Sequence, residues 1–339
     1  MELKLHTSFP DELEGAWNLL LEQSVQHVPF LRYEYLRAWW QTRGGAEWED
    51  VLLAIVTGWE GSELCGVAPL FFCPNFEGDA ALLLLGSIQI SDYLDLIAPA
   101  AKMKTFIESL LPFLANSAEL PPWRSLYLHN LVDTSPTLTL LDEVARQQKW
   151  AFSSHTLQHS PYIPLPDSFE AYLAGIDKKQ RHEIRRKMRR AGEIGQPVRY
   201  YYVQEKAGLD EEIDAFLVLM AYDAQKKRFL TPPMREHMRL TIHCAFDQDC
   251  LHLAFLEVGG EKAAGHLSFD YLDRIWAYNS GVNPKFAHLS PGWVLLGHEL
   301  QWAIEHQKVE YDFMRGDEEY KYRFGAVDRY VMQAVLTPA

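Results

Sequence analysis

The chain has 339 residues, a length that favours two domains over one, and its 48% hydrophobic, 13% aromatic and 23% charged composition is that of a globular protein rather than a disordered or fibrous one. Its 32 Lys and Arg against 46 Asp and Glu give a net charge of −14, which argues against broad binding to DNA or to an anionic membrane face. Four scattered cysteines (Cys65, Cys73, Cys244, Cys250) without a CxxC pair, and an N-terminus with neither basic nor apolar leader, point to a reducing, cytoplasmic setting. The most apolar run, AALLLLG at 80–86, is far below the roughly 18 residues that a membrane span requires.

In chain order, Leu13, Trp17, Leu20, Leu21 and Val25 are spaced three or four apart and predict a helix over 11–26. A second helix is expected over 33–43. Strands 51–57 and 64–72 flank the turn GWEGS at 58–62 and read as a hairpin. Further strands are expected at 81–86, 93–98 and 125–129, with helices at 101–115 and 137–149. About 200 residues on, the order recurs: a helix over 211–226, a helix over 233–246, then a hairpin in LHLAFLEVGGEKAAGHLSFD (251–270) turning at Gly259–Gly260. Helix, helix and hairpin at matching spacing predict an internal duplication. SPYIPLPD (160–167), with three prolines, reads as an extended connector between domains 1–160 and 161–339.

The segment 276–325 has the character of a site. IWAYNSG (275–281) is an aromatic, β-branched strand. After a loop come Ser290, Pro291 and Gly292, the grammar of a helix start, and an apolar-periodic helix to about His306. The first free N–H groups of such a helix suit a phosphate, although a well-capped core helix has the same sequence. The strand VEYDFM (309–314) and the ionisable loop RGDEEYKYRFG (315–325) follow.

The run SPGWVLLGHELQWAIEHQKVEYDFMRGDEEYKYRFG (290–325) resembles the C-terminal signature of the CelD/BcsL-like acetyltransferases, a branch of the GNAT superfamily. GVAPLFF (66–72), ISDYLDLI (90–97) and the basic helix DKKQRHEIRRKMRRAGEIG (177–195) resemble further pieces of that family, in order, so the likeness spans about 10–330. The family is related to the FemAB-type transferases. The resemblance implies an α/β (α+β) protein of two tandem GNAT-like domains, each a mostly antiparallel mixed sheet flanked by helices. It also implies transfer of an acyl group from acetyl-CoA or another acyl-CoA. The donor would lie between strands 275–281 and 309–314, with its pyrophosphate on Leu289, Ser290, Pro291, Gly292 and Trp293. Of the usual Gly-rich phosphate loop only Gly292 is present.

Acyl transfer from a thioester needs a base, an oxyanion donor and a proton for the leaving thiolate. Asp312 is the expected base, with Asp317 and Glu318 behind it; pairing of Asp312 with Arg315 or another buried cation is the alternative. Tyr278 or Tyr320 is the expected acid. Lys321, Arg315 and Arg323 suit a substrate carboxylate or phosphate, and the DY strand adds Asp92 and Tyr93 on the substrate side. His266 reads as a strand residue with a satisfied hydrogen bond. The basic stretch Asp177–Arg190 carries net +6, and three readings stay open: a solvated helix, an anion-binding face, or a tRNA contact as in an aminoacyl-tRNA-dependent transferase. The acceptor is expected to be a small molecule, peptide or saccharide, with an acyl-carrier protein as a further donor. A non-catalytic scaffold is the third class of function. HExxH, GxSxG, P-loop and Cys/His ligand spacings are missing, so no metal is expected.

Overall fold

The computed structural model describes residues 1–338. Contacts divide the chain into one unit of Met1–Gln158 with the segment from Tyr330 onward, and a second of His159–Arg329. The first unit contains β1 (Glu2–His6), α1 (Glu14–Glu22), α2 (Tyr33–Ala46), β2 (Leu52–Leu53), β3 (Ile55–Glu60), β4 (Glu63–Ala68), β5 (Leu70–Phe76), β6 (Asp79–Leu84), α3 (Ala100–Asn116), β7 (Ser125–Val132), α4 (Pro136–Gln147) and β8 (Ala151–His159). The second contains β9 (Tyr162–Pro164), α5 (Phe169–Gly175), α6 (Lys178–Gly192), β10 (Val198–Tyr202), α7 (Leu209–Met220), α8 (Ala224–Phe229), α9 (Pro232–Asp247), β11 (Leu251–Val258), β12 (Glu261–Tyr271), β13 (Arg274–Val282), α10 (Pro291–Glu305), β14 (Glu310–Asp312) and α11 (Glu319–Arg323). The last strand, β15 (Tyr330–Thr337), pairs with β7 and returns to the first unit. The expected second domain therefore gives up its closing residues, because the unpaired edge of β7 takes them.

In the first unit the strands run β1-β3-β4 and, beyond breaks at Ala54 and Pro69, β2-β5-β6-β7-β15-β8. In the second they run β10-β11-β12-β13-β14-β9. With each broken strand read as one, the two orders coincide over six positions, and β8 adds a seventh strand to the edge of the first unit. Each holds a parallel pair, β6 with β7 and β13 with β14, spanned by α3 and α10 respectively. The duplication seen as helix, helix and hairpin thus extends through the sheet.

Four expectations change. The connector 160–167 contains β9, which pairs antiparallel with β14 at the sheet edge, where its prolines cost no ladder bond. Residues 93–98 are extended but form only the bridge Val67↔Ile97, since Leu94 donates instead to the carbonyl of Asn130. The helix over 211–226 breaks at Asp223, whose carboxylate accepts from the N–H of Gln225 and Lys226, both at 2.9 Å, and starts α8. Strand 309–314 shortens to the three residues of β14.

Opposite faces of the second sheet carry α7 and α10. A Cβ on Gly281 would lie 2.4 Å from the backbone of Leu219 and Met220, so only glycine lets α7 cross β13 this closely. On the other face Val294 and Leu295 of α10 pack on Ala254, Leu256 and Ala264. Ile184 of α6 and Tyr172 and Leu173 of α5 cluster with Leu296 and Leu300 on the next flank of α10. The apolar stripe of the basic helix is what fastens α6 there.

Candidate active site

The parallel ladder between β13 and β14 is only three pairs long, ending at Trp276↔Asp312. Just beyond, the β12 register shifts so that Leu267 faces Asn279 and Ser268 faces Ala277, leaving Tyr278 as a bulge. From there β13 runs on to Val282 while the other strand turns away. The two strands part, and the residues of β13 past the bulge have no strand on that side. Ser280 finds other partners: its N–H donates to Asn279 Oδ1 at 2.9 Å, and its carbonyl accepts from Lys226 Nζ at 2.6 Å. Lys226 belongs to α8 and was not anticipated from sequence. Burial lowers its pKa, opposed by the charges of Asp223 and Glu318.

The start of α10 meets the end of β13, where a Cβ on Gly292 would touch Val282 Cγ2 at 3.2 Å. Its cap differs from the expected one. Ser290 is left-handed (φ 53°) with no side-chain cap bond, and its carbonyl takes the N–H groups of Trp293 (3.0 Å) and Val294 (3.2 Å). Pro291 has no N–H, so in the first turn of α10 Gly292 is left to offer one without a backbone acceptor. Leu289 and Pro291 are buried; Leu289 packs with Val258, Ala263 and Phe286. The missing N–H groups have neighbours of the right charge. A cavity of about 360 Å³ beside Trp293 is lined by Lys179, Lys187 and Arg323, with Glu183 and Glu319 as counter-charges. Lys187 Nζ lies 4.0 Å over the Trp293 ring.

Two expected roles are corrected. Asp312 is fully buried, and both oxygens are engaged: Oδ1 accepts from Met314 N–H at 2.6 Å, and Oδ2 pairs with Arg329. The same guanidinium reaches Glu310 Oε1 at 2.9 Å and lies 4.3 Å from the centre of the Tyr162 ring. The Asp312 carboxylate is thus engaged in a buried ion pair with Arg329 rather than standing as an available base. Lys321 is 2% exposed and donates to the carbonyls of Arg315 (2.9 Å) and Gly316 (3.0 Å), with Glu318 Oε2 at 2.9 Å. Its ammonium ties the loop after β14 to α11 and has no donor left for a substrate. Arg323 pairs with Glu319 at 2.6 Å.

Near the parting strands there remain Tyr278, half-buried, and Glu318, Asp317 and Tyr320, exposed, with Arg315 half-buried. Burial of its hydroxyl and the charges of Glu318 and Glu299 hold the Tyr320 pKa well above the usual phenol value. Asp92 and Tyr93 lie in the first unit, where Tyr93 is core.

Sequence reasoning missed a buried polar cluster under α10. Glu299 accepts from Tyr311 OH at 2.9 Å and lies 2.5 Å from His266 Nδ1. Its second oxygen stands 3.8 Å from His252 Nε2. Burial alone would raise the Glu299 pKa, but the two histidines and the tyrosine hydroxyl outweigh it and the net shift is downward. His266 is therefore satisfied, as expected.

Among the described residues no group of three His, Cys, Asp or Glu is placed to hold a metal, and no helix is long and apolar enough to cross a membrane. Residues 178–322 match the family model described as an acetyltransferase (GNAT) domain. No curated protein matches the chain. In fold the chain is similar to FemX (11% identity, TM-score 0.64, 98% of this chain and 97% of that one). It is also similar to a tandem GNAT protein from the clavulanic acid biosynthesis pathway (12%, TM-score 0.52, 98% and 97%). L-PGS from Bacillus licheniformis is a third likeness (10%, TM-score 0.52, 83% of each). Two duplicated units, each with a parallel pair spanned by one helix, define the class: a tandem GNAT fold. The matched acetyltransferase (GNAT) domain, residues 178–322, lies within the second unit, and the chain as a whole has the tandem fold of FemX and of the clavulanic acid pathway protein.

Proposed function

We propose that the second unit transfers an acyl group, acetyl in the simplest case, from acyl-CoA to an amine or hydroxyl of a small-molecule, peptide or saccharide acceptor, in the manner of the CelD/BcsL-like branch. The carrying observation is the parting of β13 and β14 past Trp276 and Asp312, with α10 beginning at the end of β13. A bound donor supplies a thioester carbonyl open to attack. Ser280 would exchange its bonds with Asn279 and Lys226 for bonds to an extended ligand lying along β13. The phosphate end suits the Gly292 N–H together with Lys179 and Lys187. With Asp312 engaged, Glu318 is the carboxylate that supports the reading of a base, through Oε1 while Lys321 holds its Oε2, and it couples electrostatically to Lys226. Tyr320, held protonated, suits delivery of a proton to the departing thiolate.

A second reading rests on α6. Lys178 and Lys179 have no ion pair among the described residues, and a charged tRNA would use such a face. Thermal unfolding with acetyl-CoA, longer acyl-CoA and aminoacyl-tRNA separates the two, since ligand at 100 times its Kd adds about 2.7 kcal/mol. Gly292→Glu should abolish the acyl-CoA shift, through bulk and like charge, while circular dichroism stays unchanged. Unaltered acyl-CoA affinity in that variant moves the donor elsewhere. Binding of no donor at all leaves the scaffold reading.

A further inference from the structure

A second cavity, of about 300 Å³, lies toward the other end of α10. Trp302 is ten residues past Gly292, about 15 Å along the helix. Its walls are Tyr202 at the end of β10, His252 at the start of β11, Trp302 and Phe246, with the carboxylates of Asp249 and Asp270. The rings form one aromatic surface: Tyr202 stacks on His252 at 5.2 Å, His252 meets Trp302 at 4.3 Å, and Trp302 stands edge-on to Tyr202 at 5.4 Å. His306 backs Trp302 at 4.0 Å.

The charges are lopsided. Among the described residues lining the cavity none is Lys or Arg. Asp270 is answered from outside by Lys308. Asp249, in the turn after α9, has no ion pair and no side-chain hydrogen bond among the described residues. His252 is 1% exposed, and burial lowers its pKa, so the ring is neutral at pH 7. An electron-rich aromatic wall beside an unanswered carboxylate is the environment that favours an organic ammonium group: ring faces attract a weakly hydrated cation and the carboxylate supplies the counter-charge. At about 30 Å³ per water, the volume admits a group of roughly ten heavy atoms.

We propose that this cavity binds an alkylammonium group, at a site separate from the parting strands. The group could come from a free amine or from a lysine side chain of a peptide. Ligand-observed NMR on the full chain tests it with n-butylammonium, its neutral isostere 1-butanol, Nα-acetyl-lysinamide and a lysine-containing peptide. The expected result is saturable binding of the ammonium probes at millimolar levels or tighter, with none for butanol. Asp249→Asn is the informative variant, because asparagine tolerates the left-handed backbone (φ 52°) of that turn. It should weaken n-butylammonium about tenfold, and Trp302→Leu should abolish binding. Preference for the peptide assigns the site to a protein segment, and preference for the free amine to a small molecule; either supports the proposal. Equal binding of butanol, unchanged affinity in Asp249→Asn, or no saturable ammonium binding at tens of millimolar overturns it.

Discussion

Where the parallel strands part, the two units handle the same topology in opposite ways. In the first, the chain between β6 and α3 folds back over the end of β7: Asn130 Nδ2 donates to the carbonyls of Ile88 (2.9 Å) and Ser91 (2.7 Å), and Leu94 N–H donates to the Asn130 carbonyl. Tyr35 adds a bond to the carbonyl of Ile90. In the second, the equivalent chain between β13 and α10 turns the other way, and Phe286 and Leu289 bury themselves against Val258 and Ala263 of the β11–β12 hairpin. One unit fills the gap with its own backbone and the other leaves it to side chains such as Lys226. A duplicated scaffold can thus keep a strand order and assign the opening to a single copy, through the direction taken by one connecting segment.

The largest effect should come from the pair that holds β14. Asp312→Asn removes one of the two carboxylates that Arg329 engages, leaving Glu310 alone, and should cost about 3 kcal/mol, read by denaturant unfolding. A variant of native stability but slow turnover would return Asp312 to the chemistry. Next come two groups of opposite sign. Burial holds the His237 pKa at about 4, so its contribution is complete above pH 6.5 and is lost as pH falls toward 4. Burial raises Asp95 to about 6 against the hydrogen bonds of Ser135, Thr137 and Leu96 N–H, so its contribution is complete below pH 3.8 and is lost as pH rises through 6. Each is about 3 kcal/mol at full extent. His237→Gln should flatten the acid side of a stability profile, and Asp95→Asn should stabilise at pH 8 and not at pH 4. The reverse pattern would contradict the burial of both groups.

Asn130→Ala, which strips two buried carbonyls of their donor in the closed unit, should cost about 2 kcal/mol and leave acyl-CoA binding alone. If donor affinity fell with it, the first unit would share the site. Lys187→Met is the gentlest probe: under about 1 kcal/mol of stability, with weaker and less salt-dependent CoA binding by calorimetry.

Periodicity within short windows made the helices and hairpins legible, and the recurrence of their order exposed the duplication. Isolated strands were not legible: β1, β8, β10 and β15 owe their state to partners far off in sequence, which no local pattern records. The site was half legible for the same reason. Gly292 and the loop after β14 sit where their grammar put them, and a buried cation for Asp312 was expected, but Arg329, which supplies one, lies past the motif that drew attention to the segment. Glu299 left a signal that was readable in hindsight. It lies four residues from Leu295 and from Ala303 on a buried face of α10, and a carboxylate there requires buried partners.

The return of β15 to β7 also has a consequence in time. About 200 residues separate the two strands, and at roughly 5–20 residues per second a ribosome needs on the order of ten to forty seconds to deliver the second after the first. Throughout that interval one edge of β7 is unpaired, and by the time β15 arrives every strand of the second unit has been made. The unit that begins the chain is therefore the last to complete its sheet, and nascent chains are most exposed to edge-to-edge association in the half that has its own gap closed.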